Sequence, residues 1–412
     1  MNRYKMHAAL LAAVLCLSLL SGCIFRPTPP SEPDSAVGTP EPTATPLPTP
    51  EVLSVDVEQL LANMTPEEKV GQLFFVRPDA LDPNQTTAQI NDSDAAGVTE
   101  MSVTIGNMLV RYPVGGVVLF DKNIRSPEQL TAFVDALQSA SKTPLFIAVD
   151  EEGGIVTRLA RNPNFELPGY ESAAAVGAAG EPAAENMGST IGAYLRRYGI
   201  SMDFAPVADV STNPANPVIR SRAFSADPEQ AAIMAGAMAR GLSREGIIPT
   251  FKHFPGHGDT DEDSHLAVAV TNKTRAQLRE CEWIPYERCD LTGCAVMVGH
   301  IAVPEITGDM TPASLSPKLV TDCLRGELGF TGLVITDSLA MQAVTWTWTP
   351  EEAAVKAVLA GCDVLLMSAD LRLGYNAVLD AVRQGVISPE RLDESVRRIL
   401  EYKVRAELIT AG

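Results

Sequence analysis

The sequence predicts an α/β protein, a (β/α)8 barrel. Three observations predict it. Eight short, continuously apolar runs recur along the 412 residues, the pattern of parallel strands buried on both faces. Amphipathic stretches with helix-start signals lie between them. Ionisable residues gather where the apolar runs end, and a barrel of this kind carries its site at the C-terminal ends of its strands. An open doubly wound sheet would need a glycine-rich phosphate turn after its first strand, and none is present.

The expected strands are residues 72–76 (QLFFV), 115–120 (GGVVLF), 145–150 (LFIAVD), 201–207 (SMDFAPV), 247–254 (IIPTFKHF), 294–301 (CAVMVGHI), 332–337 (GLVITD) and 363–368 (DVLLMS). Helical patterns over 126–140, 227–246 and 349–361 open with Ser126, Asp227 or Thr349 followed by Pro-Glu. That order places a capping oxygen first, a residue with preset φ second and an acid in the first turn. Gly241, Gly246 and Gly361 stand where helices are expected to stop. The β-then-α alternation makes residues 54–412 one TIM barrel.

What precedes the barrel has another character. Arg3 and Lys5 lead into an apolar run over residues 8–20, too short to span a bilayer and suited to the core of a signal segment. Leu20-Ser21-Gly22-Cys23 resembles a bacterial lipobox, which implies a signal peptide over 1–22 and lipidation of Cys23. An ordinary secretory peptide is the alternative. Residues 24–50 include nine prolines among Thr, Ser, Glu and Ala, so residues 23–53 read as an extended spacer with no core of its own. The expected location is extracytoplasmic, with a lipid anchor in the cell membrane. The formal net charge of −19 repels phosphate backbones and argues against nucleic acid as a partner. Beyond Cys16 and Cys23 the cysteines are Cys281, Cys289, Cys294, Cys323 and Cys362. Their odd number and lack of a CxxC spacing indicate neither a disulfide framework nor a zinc ribbon.

The strand-end residues are the candidates for chemistry. Asp150 ends the third run, Asp203 and Asp209 flank the end of the fourth, and Lys252 and His253 end the fifth. His300 ends the sixth and Asp337 the seventh. Ionised groups have no place in an apolar barrel core, so their gathering at one end indicates a shared site. The stretch Lys252-His-Phe-Pro-Gly-His-Gly-Asp-Thr-Asp-Glu-Asp-Ser-His265 adds His257 and His265. Its glycines and acids predict a long loop after the fifth strand. Asp263 and His265 are two residues apart, and an Asp-oriented imidazole both donates and accepts protons near neutrality.

KHFPGHG followed by DSH resembles glycoside hydrolase family 3, in its β-N-acetylglucosaminidase (β-hexosaminidase) branch. Ala148-Val-Asp-Glu-Glu-Gly-Gly-Ile-Val-Thr-Arg158-Leu, Ser221-Arg222-Ala-Phe and Ile335-Thr-Asp337-Ser-Leu-Ala-Met341 are similar to that family too, in its order. The resemblance covers roughly residues 55–405. It implies that Asp337 is the nucleophile and His265 the general acid/base, with Asp263 as its partner. It also implies that Asp150, Arg158, Arg222, Lys252 and His253 bind the sugar. His257 receives no catalytic role and is expected to shape the loop. The activity implied is retaining hydrolysis of terminal N-acetylhexosamine, with peptidoglycan fragments as the expected source. No cofactor or metal is implied.

Alternatives stay open at this point. A β-glucosidase or a glycoside phosphorylase of the same family would share these motifs. A non-catalytic sugar-binding lipoprotein would share the pocket. A metal-dependent barrel hydrolase would use His253, His257 and His265 with neighbouring acids, but His-x-x-x-His needs a helix to align both rings, and Pro255, Gly256 and Gly258 oppose one. Trp346 and Trp348 are expected to pack at a helix start before Pro350, with stacking on a sugar as the other use.

Overall fold

The computed structural model describes residues 55–261 and 268–410. The expected signal segment, Cys23 and spacer, as well as Asp263 and His265, lie outside those residues.

All eight apolar runs contain strands, and the strands form one parallel barrel. They are β1 (Phe74–Val76), β2 (Gly116–Leu119), β3 (Phe146–Val149), β4 (Met202–Asp203), β5 (Ile248–Phe254), β6 (Ala295–Val298), β7 (Val334–Thr336) and β8 (Leu365–Leu366). Each pairs in parallel with its neighbours in chain order, and β8 pairs with β1. A bridge between Ile335 and Val364 completes the ring between β7 and β8. The closed ring leaves no strand edge free.

Every strand is shorter than the run that contains it, and two are cut short for a visible reason. The run 201–207 pairs regularly only at Met202 and Asp203, because Pro206 has no N–H to give a ladder. The chain rejoins β5 through a bridge between Val207 and Lys252. The run 294–301 is cut at Gly299: β6 ends at Val298, and Ile301–Ala302 leaves the barrel to pair in parallel with Ala269–Val270.

The helices begin where their caps predict. α1 (Pro127–Ala140) is capped by Ser126, α2 spans Glu181–Arg197, α3 (Pro228–Arg244) is capped by Asp227, and α4 (Pro350–Ala360) by Thr349. The three capping oxygens accept from the backbone N–H of Gln129, Gln230 and Glu352 at 3.2, 2.9 and 3.3 Å, each cap contributing about 1 kcal/mol. α5 (Leu371–Arg383) and α6 (Pro389–Arg405) follow. Gly246 and Gly361 fall just past α3 and α4 with φ of 78° and 110°, a left-handed backbone that favours glycine. Gly241 does not stop a helix; it lies inside α3. A Cβ there would come within 2.3 Å of the Glu185 carbonyl oxygen on α2, and one on Gly188 within 2.1 Å of the Met238 carbonyl oxygen on α3. The glycines let the two helix backbones touch.

The end of the barrel opposite the site is tied by polar groups. Asp363, just before β8, accepts from Arg325 at 2.6 Å, Arg398 at 3.0 Å, the Ser395 hydroxyl at 2.7 Å and the Val334 N–H at 3.0 Å. Lys403 on α6 is fully buried and donates to Gln72 Oε1 at 2.6 Å. Cys281, Cys289, Cys294, Cys323 and Cys362 are free thiols. Among the described residues no helix is long and apolar enough to cross a membrane.

Candidate active site

The site is assembled at the C-terminal rim. β3 delivers Asp150 and, two residues on, Glu152; β5 delivers Lys252 and His253; the segment after β4 supplies Asp209 and Arg222; β7 supplies Asp337. Lys252 is the link among them. Its Nζ lies 2.7 Å from Asp150 Oδ1 and 2.7 Å from Glu152 Oε1. Glu152 also holds Arg222 by two parallel bonds, Nε at 2.9 Å and Nη2 at 2.7 Å, the fork geometry that fixes a guanidinium plane. Arg158 stands 3.7 Å from Asp150 and 3.1 Å from Asp121.

These pairs set the charge states. Burial pushes the Glu152 carboxyl up, but the Arg222 and Lys252 charges outweigh it and bring it down to about 2. Burial also opposes ionisation of Asp150, and Lys252 with Arg158 still holds it below its ordinary value. Lys252 is raised: the loss of water is outweighed by Asp150 and Glu152. This wall of the site is therefore a fixed lattice of ionised groups, preorganised rather than assembled on binding.

The histidines rest on one carboxylate. Asp209 Oδ2 takes the His253 N–H at 3.2 Å and its ring Nδ1 at 2.7 Å, while Oδ1 takes the His257 N–H at 2.7 Å. Burial disfavours the Asp209 charge, and His253 and His257 more than compensate, so the carboxyl lies below its ordinary value. His257 Nδ1 pairs with the Thr260 hydroxyl at 2.7 Å, and its carbonyl accepts from Asn216 at 2.7 Å. Burial pushes the His257 imidazole down. Gly258 explains part of the motif: a Cβ there would lie 1.8 Å from the Val210 carbonyl oxygen, so only glycine lets this turn close on the Asp209 segment.

Asp150, Arg158, Arg222, Lys252, His253, His257 and Asp337 all line one cavity of about 300 Å³, a volume at the small end for ligand pockets. Asp337 is half-buried there, and its Oδ1 accepts the Ser338 N–H at 2.7 Å. Asp203 and His300 do not line the cavity. Asp203 is fully buried beneath it and accepts the Glu151 N–H at 2.9 Å; burial raises its carboxyl well above the ordinary value. His300 is buried between Ser314 and Ser338. Trp348 packs partly against the core, whereas Trp346 is 69% exposed, so only one of the pair fills the packing role expected of both.

Several participants carry no role in the sequence reading. Glu152 is the junction of Lys252 and Arg222. Glu151 accepts the N–H groups of Arg158, Leu159 and Ala160 at 2.6, 3.0 and 3.0 Å, and the Tyr194 hydroxyl at 2.8 Å, curling the loop that carries Arg158. Arg77 and Phe120 also line the cavity, with the guanidinium carbon 4.5 Å from the ring centroid. They directly follow β1 and β2, so the strand-end rule that found Asp150 and Asp337 finds them as well.

Residues 65–402 match the model of the glycosyl hydrolase family 3 N terminal domain. The chain belongs to glycoside hydrolase family 3. It is 36% identical to a "Beta-hexosaminidase" of Idiomarina loihiensis, over 70% of this chain and 86% of that protein. It is 32% identical to "Beta-hexosaminidase A" of Pseudoalteromonas piscicida, over 75% of this chain but only 56% of that longer protein. Among solved structures, a family 3 β-N-acetylglucosaminidase from Paenibacillus sp. str. FPU-7 superposes with a TM-score of 0.75 at 35% identity, covering 85% of this chain and 64% of that one. The cavity lies at the C-terminal ends of the strands, the end at which barrels of this kind carry their sites.

Proposed function

We propose that this family 3 protein is a retaining exo-β-N-acetylhexosaminidase. The observation that carries the reading is Asp337 at the rim of β7, in one cavity with Asp150, Arg222, Lys252 and His253. The cationic and anionic groups of the wall hold a sugar by its hydroxyls, and Asp337 attacks the anomeric carbon from the end of its strand. His265, oriented by Asp263, protonates the leaving oxygen and then activates water against the glycosyl–Asp337 ester. A second fixed carboxylate normally fills that role; an imidazole fills it without adding negative charge beside Asp337. The similarity to proteins named β-hexosaminidase and β-N-acetylglucosaminidase supports N-acetylglucosamine at the non-reducing end as the sugar removed. The lipobox-like segment supports an anchored, extracytoplasmic enzyme acting on peptidoglycan fragments.

The test is turnover of 4-nitrophenyl β-N-acetylglucosaminide by the wild type, Asp337→Asn and His265→Ala. Asp337→Asn is expected to lose activity by at least a thousandfold, and His265→Ala by ~10²–10⁴-fold. Undiminished turnover by Asp337→Asn overturns the mechanism. Far faster cleavage of the matching glucoside by the wild type overturns the substrate. Membrane fractionation of a Cys23→Ala variant tests the anchor, with release to the soluble fraction expected.

A further inference from the structure

The contact between Asp209 and His253 decides which kind of hydrogen bond the sugar must offer. Asp209 is fully enclosed and its carboxylate only accepts: both of its oxygens already take backbone N–H groups, from His253 and His257. The ring nitrogen Nδ1 of His253, 2.7 Å from Oδ2, must therefore carry the proton of that bond. A neutral imidazole has one proton to place, so Nε2 is left with its lone pair. Among the described residues nothing bonds Nε2, and His253 lines the cavity with Asp337. The nitrogen left available to a ligand is the second one.

We infer that Asp209 is a positioning residue that locks His253 with its proton on Nδ1, so that Nε2 presents a hydrogen-bond acceptor to the bound sugar and selects a ring position bearing a hydroxyl donor. The inference rests on the proposed glycosidase reading and deepens it by naming a specificity rule. Fluorine in place of that hydroxyl keeps the size and the polarity but gives no proton, so a site built to accept discriminates against it. Asparagine at position 209 removes the lock. Whichever way its amide turns, one of its N–H groups faces a backbone N–H, of His253 or His257, that a carboxylate oxygen holds in the wild type, so the group no longer fixes the ring proton on Nδ1. The D209N change leaves the shape of the buried group nearly intact while releasing the histidine it supports.

The experiment has two arms. Long-range ¹H–¹⁵N correlation spectra of the wild-type protein report the tautomer directly, and protonation of His253 at Nδ1 is expected; protonation at Nε2 overturns the inference without any variant having to fold. The second arm measures kcat/KM for 4-nitrophenyl β-N-acetylglucosaminide and its 3-, 4- and 6-deoxyfluoro analogues with the wild type and Asp209→Asn. In the wild type one analogue is expected to lose at least tenfold more than the other two. In D209N the parent substrate falls at least tenfold while the penalty for that one analogue shrinks to less than threefold. Equal penalties at all three positions in both proteins overturn the inference. If the wild type does not cleave the parent compound at all, the glycosidase reading fails, and the spectra still decide the tautomer.

Discussion

The imidazole of His300 donates from Nε2 to the main-chain carbonyl of Ser338 at 2.7 Å, one residue beyond Asp337. Its other nitrogen pairs with the Ser314 hydroxyl at 2.7 Å. The Ser338 N–H in turn donates to Asp337 Oδ1 at 2.7 Å, and the Asp337 N–H donates to the Val298 carbonyl at 2.8 Å. Thus β6 and its loop hold the peptide that orients the carboxylate on β7. His300 ends its strand as the other candidates do, yet it acts on the backbone behind the site rather than on the cavity.

Replacing His300 by Leu is expected to lower kcat at least tenfold while KM changes less than threefold, because the Ser338 carbonyl loses its buried donor at a cost of about 1–3 kcal/mol. His300→Gln keeps a donor and is expected to recover part of the loss. Steady-state kinetics with the N-acetylglucosaminide checks both. A rise in KM at constant kcat would show that His300 supports binding instead.

Glu152 is the second test. Replacing it by Gln leaves the buried Arg222 without its carboxylate and Lys252 with Asp150 alone. Breaking one partner of a buried pair costs about 3–5 kcal/mol, so both the unfolding midpoint and sugar affinity are expected to fall. The pH dependence has a defined sign. The Glu152 carboxyl is brought to about 2 in the fold, below the value of an unfolded chain. Its stabilisation is complete above the unfolded value and is lost as pH falls toward 2. Denaturant titrations from pH 6 to pH 2.5 are expected to show the gap between wild type and E152Q narrowing over the acidic part of that range; a constant gap would contradict the assignment.

Much of the barrel was legible in the sequence because its signals are local. An apolar run such as GGVVLF and a cap such as Ser126-Pro-Glu each report on a few neighbouring residues. The strand-end rule placed Asp150, Lys252, His253 and Asp337 together for the same reason. What stayed hidden depends on groups distant in the chain. Glu152 meets Arg222 across 70 positions and Asp209 meets His253 across 44, separations that no spacing rule reads. Gly241 was misplaced because glycine is also what ends a helix, and only the neighbouring α2 backbone distinguishes the two uses. A strand end fixes a position and not a direction: Asp203 and His300 end their strands without lining the cavity, and alternation along the strand turns Asp203 away from it.

Gly241→Ala separates those two uses of glycine. Alanine is the better helix former by about 1 kcal/mol, so at an open helical site the change would stabilise. Here the new methyl would come within 2.3 Å of the Glu185 carbonyl oxygen, and the two helices must part. A net loss of about 1–3 kcal/mol is expected, read as a lowered denaturant midpoint. A midpoint at or above the wild-type value would mean that α2 and α3 do not touch as described.

Lys403 gives the last prediction, and its slope has the same sign as that of Glu152 but falls in a higher pH window. The side chain is fully buried, donates to Gln72 Oε1 and lies 5.6 Å from the Phe146 ring centroid. Burial pushes its ammonium down to about 7, well below the value of a lysine in an unfolded chain. Between those two values the unfolded chain binds a proton that the folded one does not, so stability contributed by this group rises with pH across that window and is lowest below it. Other groups titrate there as well, and the informative quantity is the difference between two proteins. Lys403→Met removes the titration and keeps most of the volume. Relative to wild type, K403M is expected to be most favoured at pH 6 and to lose that advantage by up to ~1.4 kcal/mol per pH unit as pH rises from 7 to 9. Denaturant unfolding of both proteins over that range measures the slope; parallel curves would show that Lys403 keeps its proton inside the fold, held by Gln72 and the aromatic face of Phe146.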